Sequence, residues 1–182
     1  LRGRLVGSLD EPVVGMPVSV SAQPIKVGGD WAVVGSTVTD RQGRFAFRLA
    51  PGPSRHVRVS YDGDHATLPA AAGLTAVVAS RTSLAATPAR VRAGDVAVFS
   101  GVLSGGWVPS GGKLVMVQAM IPNRGWQTFA VVRSSALGEW RATYRFRAPV
   151  GRSGYLIRAV VPAEAAYPFA GSNGSPIRVV GR

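Results

Sequence analysis

The chain of 182 residues contains no cysteine, which excludes disulfides, zinc thiolate centres, iron–sulfur clusters and cysteine nucleophiles. Acids are scarce at nine, and histidines scarcer at two. A catalytic triad needs an imidazole base, and only His56 and His65 could supply one; neither sits in a motif setting. Paired-carboxylate chemistry fares no better, because each of the nine acids falls in an expected turn, at a strand end or in a loop. Asp62-Gly-Asp64 offers two carboxylates, well short of the roughly six to eight oxygens that calcium takes. Glycine-rich nucleotide loops, the GxSxG elbow and HExxH are missing too. The expectation is a protein without catalytic residues, metal or cofactor.

Long hydrophobic runs are also lacking. The longest weakly polar stretch, Pro69 to Ser80, stops well short of the roughly 20 residues that span a bilayer, so no membrane span is expected. Leu1 enters an alternating segment with no initiator Met, basic leader or small-residue cleavage site. This fits a piece of a longer precursor whose signal peptide has been removed, and with it an extracellular or surface location.

What is present is apolar and basic. Hydrophobic residues make up 46% of the chain and the net charge is +12, a combination that excludes a disordered basic tail. Nineteen of the 21 cations are arginine; the lysines are Lys26 and Lys113, too few to favour a Lys–Asn crosslink. Glycine and proline supply about one residue in five, which signals frequent turns.

No window of 12 or more residues carries a helical stripe. Short runs rich in Val, Thr, Phe, Tyr and Trp alternate with Gly, Pro, Ser and Asp clusters at spacings near ten residues, which predicts an all-β chain built of sandwiches. Strands are expected at 1–6, 17–23, 31–38, 44–49, 55–61 and 74–80, then at 83–87, 95–102, 114–121, 126–133, 139–147, 155–161 and 177–180. The halves also match each other at an offset of 95 to 98 residues: Gly3, Val18 and Val20 fall opposite Gly101, Val115 and Val117, and Trp31, Gly43 and Phe45 opposite Trp126, Gly138 and Trp140. The order of these matches predicts two β-sandwiches in tandem, 1–80 and 81–182, joined by little linker.

Asp10-Glu-Pro-Val-Val-Gly-Met-Pro-Val-Ser-Val20, followed by Thr39-Asp-Arg-Gln-Gly-Arg-Phe-Ala-Phe47, resembles the carboxypeptidase regulatory-like, transthyretin-like sandwich. In the second half, Gly138-Glu-Trp-Arg141, Gly154-Tyr-Leu-Ile-Arg-Ala159 and Tyr167-Pro-Phe169 resemble an immunoglobulin-like repeat of secreted bacterial proteins. These resemblances imply a non-catalytic extracellular structural or adhesive module, and they assign no active residue.

Charge singles out the second half, which carries +10 against +2 in the first. Alternation in Trp140-Arg-Ala-Thr-Tyr-Arg-Phe-Arg147 turns Trp140, Ala142, Tyr144 and Phe146 inward and places Arg141, Arg145 and Arg147 outward. With Arg152 and Arg158 expected nearby, that makes a positive stripe suited to an anionic polymer or an acidic neighbour. Specific nucleic-acid recognition is not expected, for want of a reading motif. Trp107, in a Gly-Gly-Trp-Val-Pro loop, is the candidate for stacking on a sugar ring, whereas Trp31, Trp126 and Trp140 are expected to be buried at strand ends. The run Leu114-Val-Met-Val-Gln-Ala-Met-Ile121 is apolar on both parities. Leu114, Met116 and Met120 are therefore expected to form an exposed patch for self-association or for a neighbouring domain, with Leu1–Val6 as an edge open to strand addition. Two functional readings follow, a spacer or assembly subunit, filamentous assembly included, and a module that binds polysaccharide or another polyanion.

Overall fold

The computed structural model describes residues 1–26, 28–147 and 154–181, and every regular element among them is a β-strand. The chain divides into two compact units, Leu1–Val77 and Val78–Arg182. The division precedes the expected boundary by three residues because Val78 and Ser80 already pair with the second unit: the Ala170 N–H donates to Val78 O and the Ser80 N–H to Ala170 O.

Unit 1 contains β1 (Arg2–Arg4), β2 (Pro17–Pro24), β3 (Ala32–Val38), β4 (Arg44–Ala46), β5 (Arg55–Tyr61) and β6 (Ala70–Ala76). A four-stranded antiparallel sheet runs β3-β2-β5-β6, and β1 pairs with β4 in a separate two-stranded sheet. Alternation in β2 buries Val18, Val20 and Ala22, which pack with Val57 and Tyr61 of β5. Phe45 and Phe47 close over them from the β4 side.

Unit 2 contains β7 (Arg81–Thr82), β8 (Ala85–Thr87), β9 (Arg90–Val91), β10 (Val96–Ser104), β11 (Leu114–Ile121), β12 (Gly125–Arg133), β13 (Glu139–Arg145), β14 (Tyr155–Val161), β15 (Ser172–Asn173) and β16 (Ile177–Gly181). One sheet runs β13-β10-β7, with β8 also on β10; the other runs β12-β11-β14-β16-β9, with β15 on β14. Between them lies one continuous core centred on Phe99, Val115, Val117, Ile157 and Val179. The Trp140 indole N–H, itself buried, donates to Thr82 Oγ1 at 2.7 Å.

The units repeat one another in the four strands of one sheet. The order β3-β2-β5-β6 is the order β12-β11-β14-β16, and β2 and β11 each carry a register shift, after Val20 and after Val117. Gly3 stands opposite Phe45 and Gly101 opposite Trp140, and a Cβ on either glycine would collide with the ring. The turns feeding those aromatic strands match as well. Asp40 Oδ1 accepts the Gln42 and Arg44 N–H groups at 2.8 Å each, and Ser135 Oγ accepts those of Leu137 and Glu139 at 3.2 Å each. Gly43 and Gly138 close these turns at φ 71° and 85°, values that suit a residue without Cβ.

Three expectations need correction. The strand placed at 74–80 lies at Ala70–Ala76, because the alanine run has no alternation to reveal that it pairs with β5 along its whole length. Trp31 is 49% exposed and not buried. Trp126 faces outward, since it stands opposite Met120 on the side of β11 away from the buried Val115 and Val117.

Candidate anion-binding surface

The outer face of the larger unit 2 sheet is set by parity. Val115, Val117, Ile157, Ala159 and Val179 point into the core, so Leu114, Met116, Gln118 and Met120 of β11, Leu156, Arg158 and Val160 of β14, and Arg178 and Val180 of β16 point out. Across β12 the register adds Trp126, Thr128, Val131 and Arg133, and across β9 it adds Arg90. No acidic residue occupies any of these outward positions.

At the centre of this face the Arg158 guanidinium lies 4.2 Å from the centroid of the Trp126 ring. Its Nε–H donates to Gln118 Oε1 at 2.9 Å, and Gln118 Nε2 donates to Thr128 Oγ1 at 3.0 Å. A residue from each of three adjacent strands thus fixes a planar cation on an indole, which lowers the entropy it would lose on meeting an anion. The same positions recur in unit 1. Arg58 of β5 stands opposite Ser21 as Arg158 stands opposite Gln118, and Trp31 lies just ahead of β3 as Trp126 lies near the start of β12. Trp31 and Arg58 line one shallow cleft with His56, whose Nδ1 is 3.1 Å from Thr75 Oγ1.

The expected site residues are therefore distributed and not gathered into one stripe. Arg141 and Arg145 are exposed on the outward parity of β13, with Arg147 just beyond it; Arg145 donates to Gly94 O at 3.2 Å. Arg158 belongs to the opposite sheet, because β13 and β14 lie in different sheets. Arg152 lies outside the described residues. Trp107 is 48% exposed, in a left-handed backbone conformation at φ 61°. Leu114, Met116 and Met120 face outward as alternation requires, but each is half-buried among the long side chains on that face, so they do not form a bare apolar patch.

A cavity of about 450 Å³ opens at one end of the same unit. Phe129, Tyr144, Phe146 and Tyr155 line it, with Arg124 and Arg147 among its polar groups. Phe99, Phe129, Tyr144 and Phe146 meet edge to face at successive centroid separations of 5.3, 4.9 and 5.2 Å, an aromatic chain running from the core to this cavity.

Lys113 is fully buried, its Nζ 2.5 Å from Glu164 Oε2 and 5.5 Å from the centroid of Tyr167. Arg133 reaches the other carboxylate oxygen at 3.2 Å, and the Leu114 N–H donates to Oε2 at 3.1 Å. Burial acts to raise the Glu164 pKa, but the Lys113 and Leu114 hydrogen bonds and the two cations outweigh it and hold the carboxyl below its ordinary value. The cluster ties the loop after β14 to the starts of β11 and the end of β12. Sequence reading missed it because nothing local marks a loop acid as the partner of a lysine 51 residues away.

Asp40, Asp64 and Asp95 hold turns through their carboxylates. Asp64 Oδ1 accepts the Ala66 and Thr67 N–H groups at 2.8 and 2.7 Å, which lowers its pKa. Among the described residues no group of three or more acid or histidine side chains is placed to hold a metal ion. Among the described residues no helix is long and apolar enough to cross a membrane.

No protein-family model matches the chain, and no curated protein matches it. Among solved structures, it is similar to a tetra-tandem repeat from the extending region of a large adhesion protein, at 13% identity and a TM-score of 0.41, over 91% of this chain and 42% of the other. It is also similar to part of a Parabacteroides merdae β-glucuronidase, at 11% identity and a TM-score of 0.29, over 90% of this chain and 21% of the enzyme. The chain thus spans less than half the length of either, and likenesses at this level carry no argument about activity or partners.

Proposed function

We propose that this chain is a non-catalytic module of a secreted or surface-attached bacterial protein, a pair of carboxypeptidase regulatory-like and immunoglobulin-like sandwiches that docks on anionic polymers. One observation carries the reading: the outer face of the larger unit 2 sheet presents Arg90, Arg158 and Arg178 with Trp126 and no acid at an outward strand position, Arg133 at its margin being paired with Glu164. A flat cationic and aromatic surface of this kind suits an extended polyanion, whose charges meet guanidinium groups while its uncharged backbone packs on Leu114, Met116 and Met120. Arg141, Arg145 and Arg147 give the opposite face the same sign and contribute through long-range attraction.

Retention on an immobilised sulfated polysaccharide, followed against salt, tests this. Binding should weaken steeply with salt, because the exposed guanidinium groups exchange counterions. Replacing Arg158 and Arg178 by Ser should lower retention more than replacing Arg141 and Arg145, and Trp126→Ala should lower it further. Retention that survives molar salt, or that ignores both arginine pairs, would refute the reading. A polysaccharide without charge, retained through Trp107 and lost in Trp107→Ala, is the second reading, favoured by that indole's 48% exposure.

A further inference from the structure

The two units differ at one sheet edge. In unit 2 the outer edge of β16 is closed by β9, which pairs in parallel through Val180 with Arg90 and Gly181 with Val91. In unit 1 the corresponding strand, β6, ends the sheet, and no strand among the described residues lies on its outer side. A strand left in this way presents a row of unpaired N–H and C=O groups.

Exposed edges are ordinarily blunted by charge, proline, a bulge or brevity. β1 follows that rule, with Arg2 and Arg4 in three residues. β3 follows it through the register shift it shares with β2. β6 has none of these protections. Its seven residues, Ala-Ala-Ala-Gly-Leu-Thr-Ala, are uncharged and free of proline, and they keep an unbroken register with β5 from Arg55↔Ala76 to Tyr61↔Ala70. Ala70 to Thr75 are all exposed, and Leu74 is 46% exposed although it shares a face with the buried Val57.

We infer that β6 is a homotypic pairing edge, on which a second copy of this chain adds its own β6 in antiparallel. The sequence is self-complementary about Gly73. A two-fold axis there sets Ala72 opposite Leu74, Ala71 opposite Thr75 and Ala70 opposite Ala76 of the other copy. Partners then share parity, so outward-facing backbone groups meet outward-facing ones and form about six to eight new hydrogen bonds. Leu74 gains cover from the small Ala72 beside it, and no like charges stand opposite one another. Charge allocates the roles: unit 1 is close to neutral at +2, so two copies meet there with little repulsion, whereas unit 2 at +10 favours an anion over its own kind. Seven residues with small side chains bury far less than the roughly 1,200 Å² of a stable interface, so the contact is weak and depends on concentration. This edge lies in unit 1 and does not depend on the anion-binding reading of unit 2.

Sedimentation equilibrium on the full chain tests the proposal, with circular dichroism confirming that each variant is folded. The unmodified chain should show a reversible monomer–dimer equilibrium. Ala71→Lys with Thr75→Lys sets lysine opposite lysine across the axis and should weaken the dimer by about tenfold or more. Ala71→Glu with Thr75→Glu should do the same, and an equimolar mixture of the two variants should restore dimerisation. Met116→Glu with Met120→Glu, on the outer face of unit 2, should leave it unchanged. A chain monomeric at the highest soluble concentration, a mixture that fails to recover, or a dimer lost only in the methionine variant would overturn the inference.

Discussion

Units 1 and 2 are one sheet pattern covered to different depths. In unit 2 the template sheet faces a second sheet whose long strands, β10 and β13, run nine and seven residues, and fifteen buried apolar residues join in a single core. In unit 1 the cover is β1 with β4, three residues each, and the buried apolar residues separate into a group of four and a group of three. The same fold template thus yields a deep core or a shallow one according to the length of the strands laid over it, because burial scales with the area covered. The exposed Leu74 follows from the same shortfall, whereas the open β6 edge follows from the lack of a strand corresponding to β9.

Mutating the cores should expose this difference most strongly. Phe99→Ala empties the centre of the unit 2 core and should cost about 3–5 kcal/mol, whereas Val20→Ala in unit 1 should cost about 2. Calorimetry of the full chain should resolve two transitions with unit 1 melting first, and each variant should shift its own transition. A single transition moved equally by both would break the comparison.

Next in size is the Lys113–Glu164–Arg133 cluster of unit 2. Glu164→Gln leaves Lys113 buried without its counter-charge and should destabilise unit 2 by about 2–3 kcal/mol at neutral pH. The folded-state pKa of Glu164 is depressed, so its contribution is complete above the ordinary glutamate pKa and is lost as pH falls through the folded value. Melting curves of the two proteins should therefore differ at pH 7 and draw together as pH falls below the ordinary glutamate range and through the lower folded-state value. A gap that keeps its full size down to the most acid pH at which the chain stays folded would show that lost packing, and not the ion cluster, is being measured.

Smallest are the matched turns. Asp40 accepts its two N–H bonds at 2.8 Å with a carboxylate and Ser135 accepts its pair at 3.2 Å with a hydroxyl, so Asp40→Ala should cost about 1 kcal/mol and Ser135→Ala about half that. Chemical denaturation can rank them. The reverse order would mean that the repeated turns are alike in shape but not in energetic role.

Local chemistry made much of this legible in the chain itself. Alternation in Val18 to Ala22 and in Trp140 to Phe146, turn residues at regular spacing, and the paired positions Gly3/Gly101, Gly43/Gly138 and Phe45/Trp140 were enough for strands, turns and a tandem repeat, since each reports on neighbours close along the backbone. Alternation likewise placed Arg141 and Arg145 outside. Where a residue's surroundings come from distant strands, local pattern carried no information. Sheet membership separated Arg158 from Arg141 and set it on Trp126; pairing with β5 made a strand of the featureless Ala70–Ala76; and a loop acid 51 residues away neutralised the buried Lys113. The sequence by itself determined the strand faces and turns, because side-chain parity and backbone φ are properties of a residue and its immediate neighbours. Which faces are covered, which edges stay open and which charges meet were decided only by the tertiary structure, because those depend on strands brought together by long-range pairing.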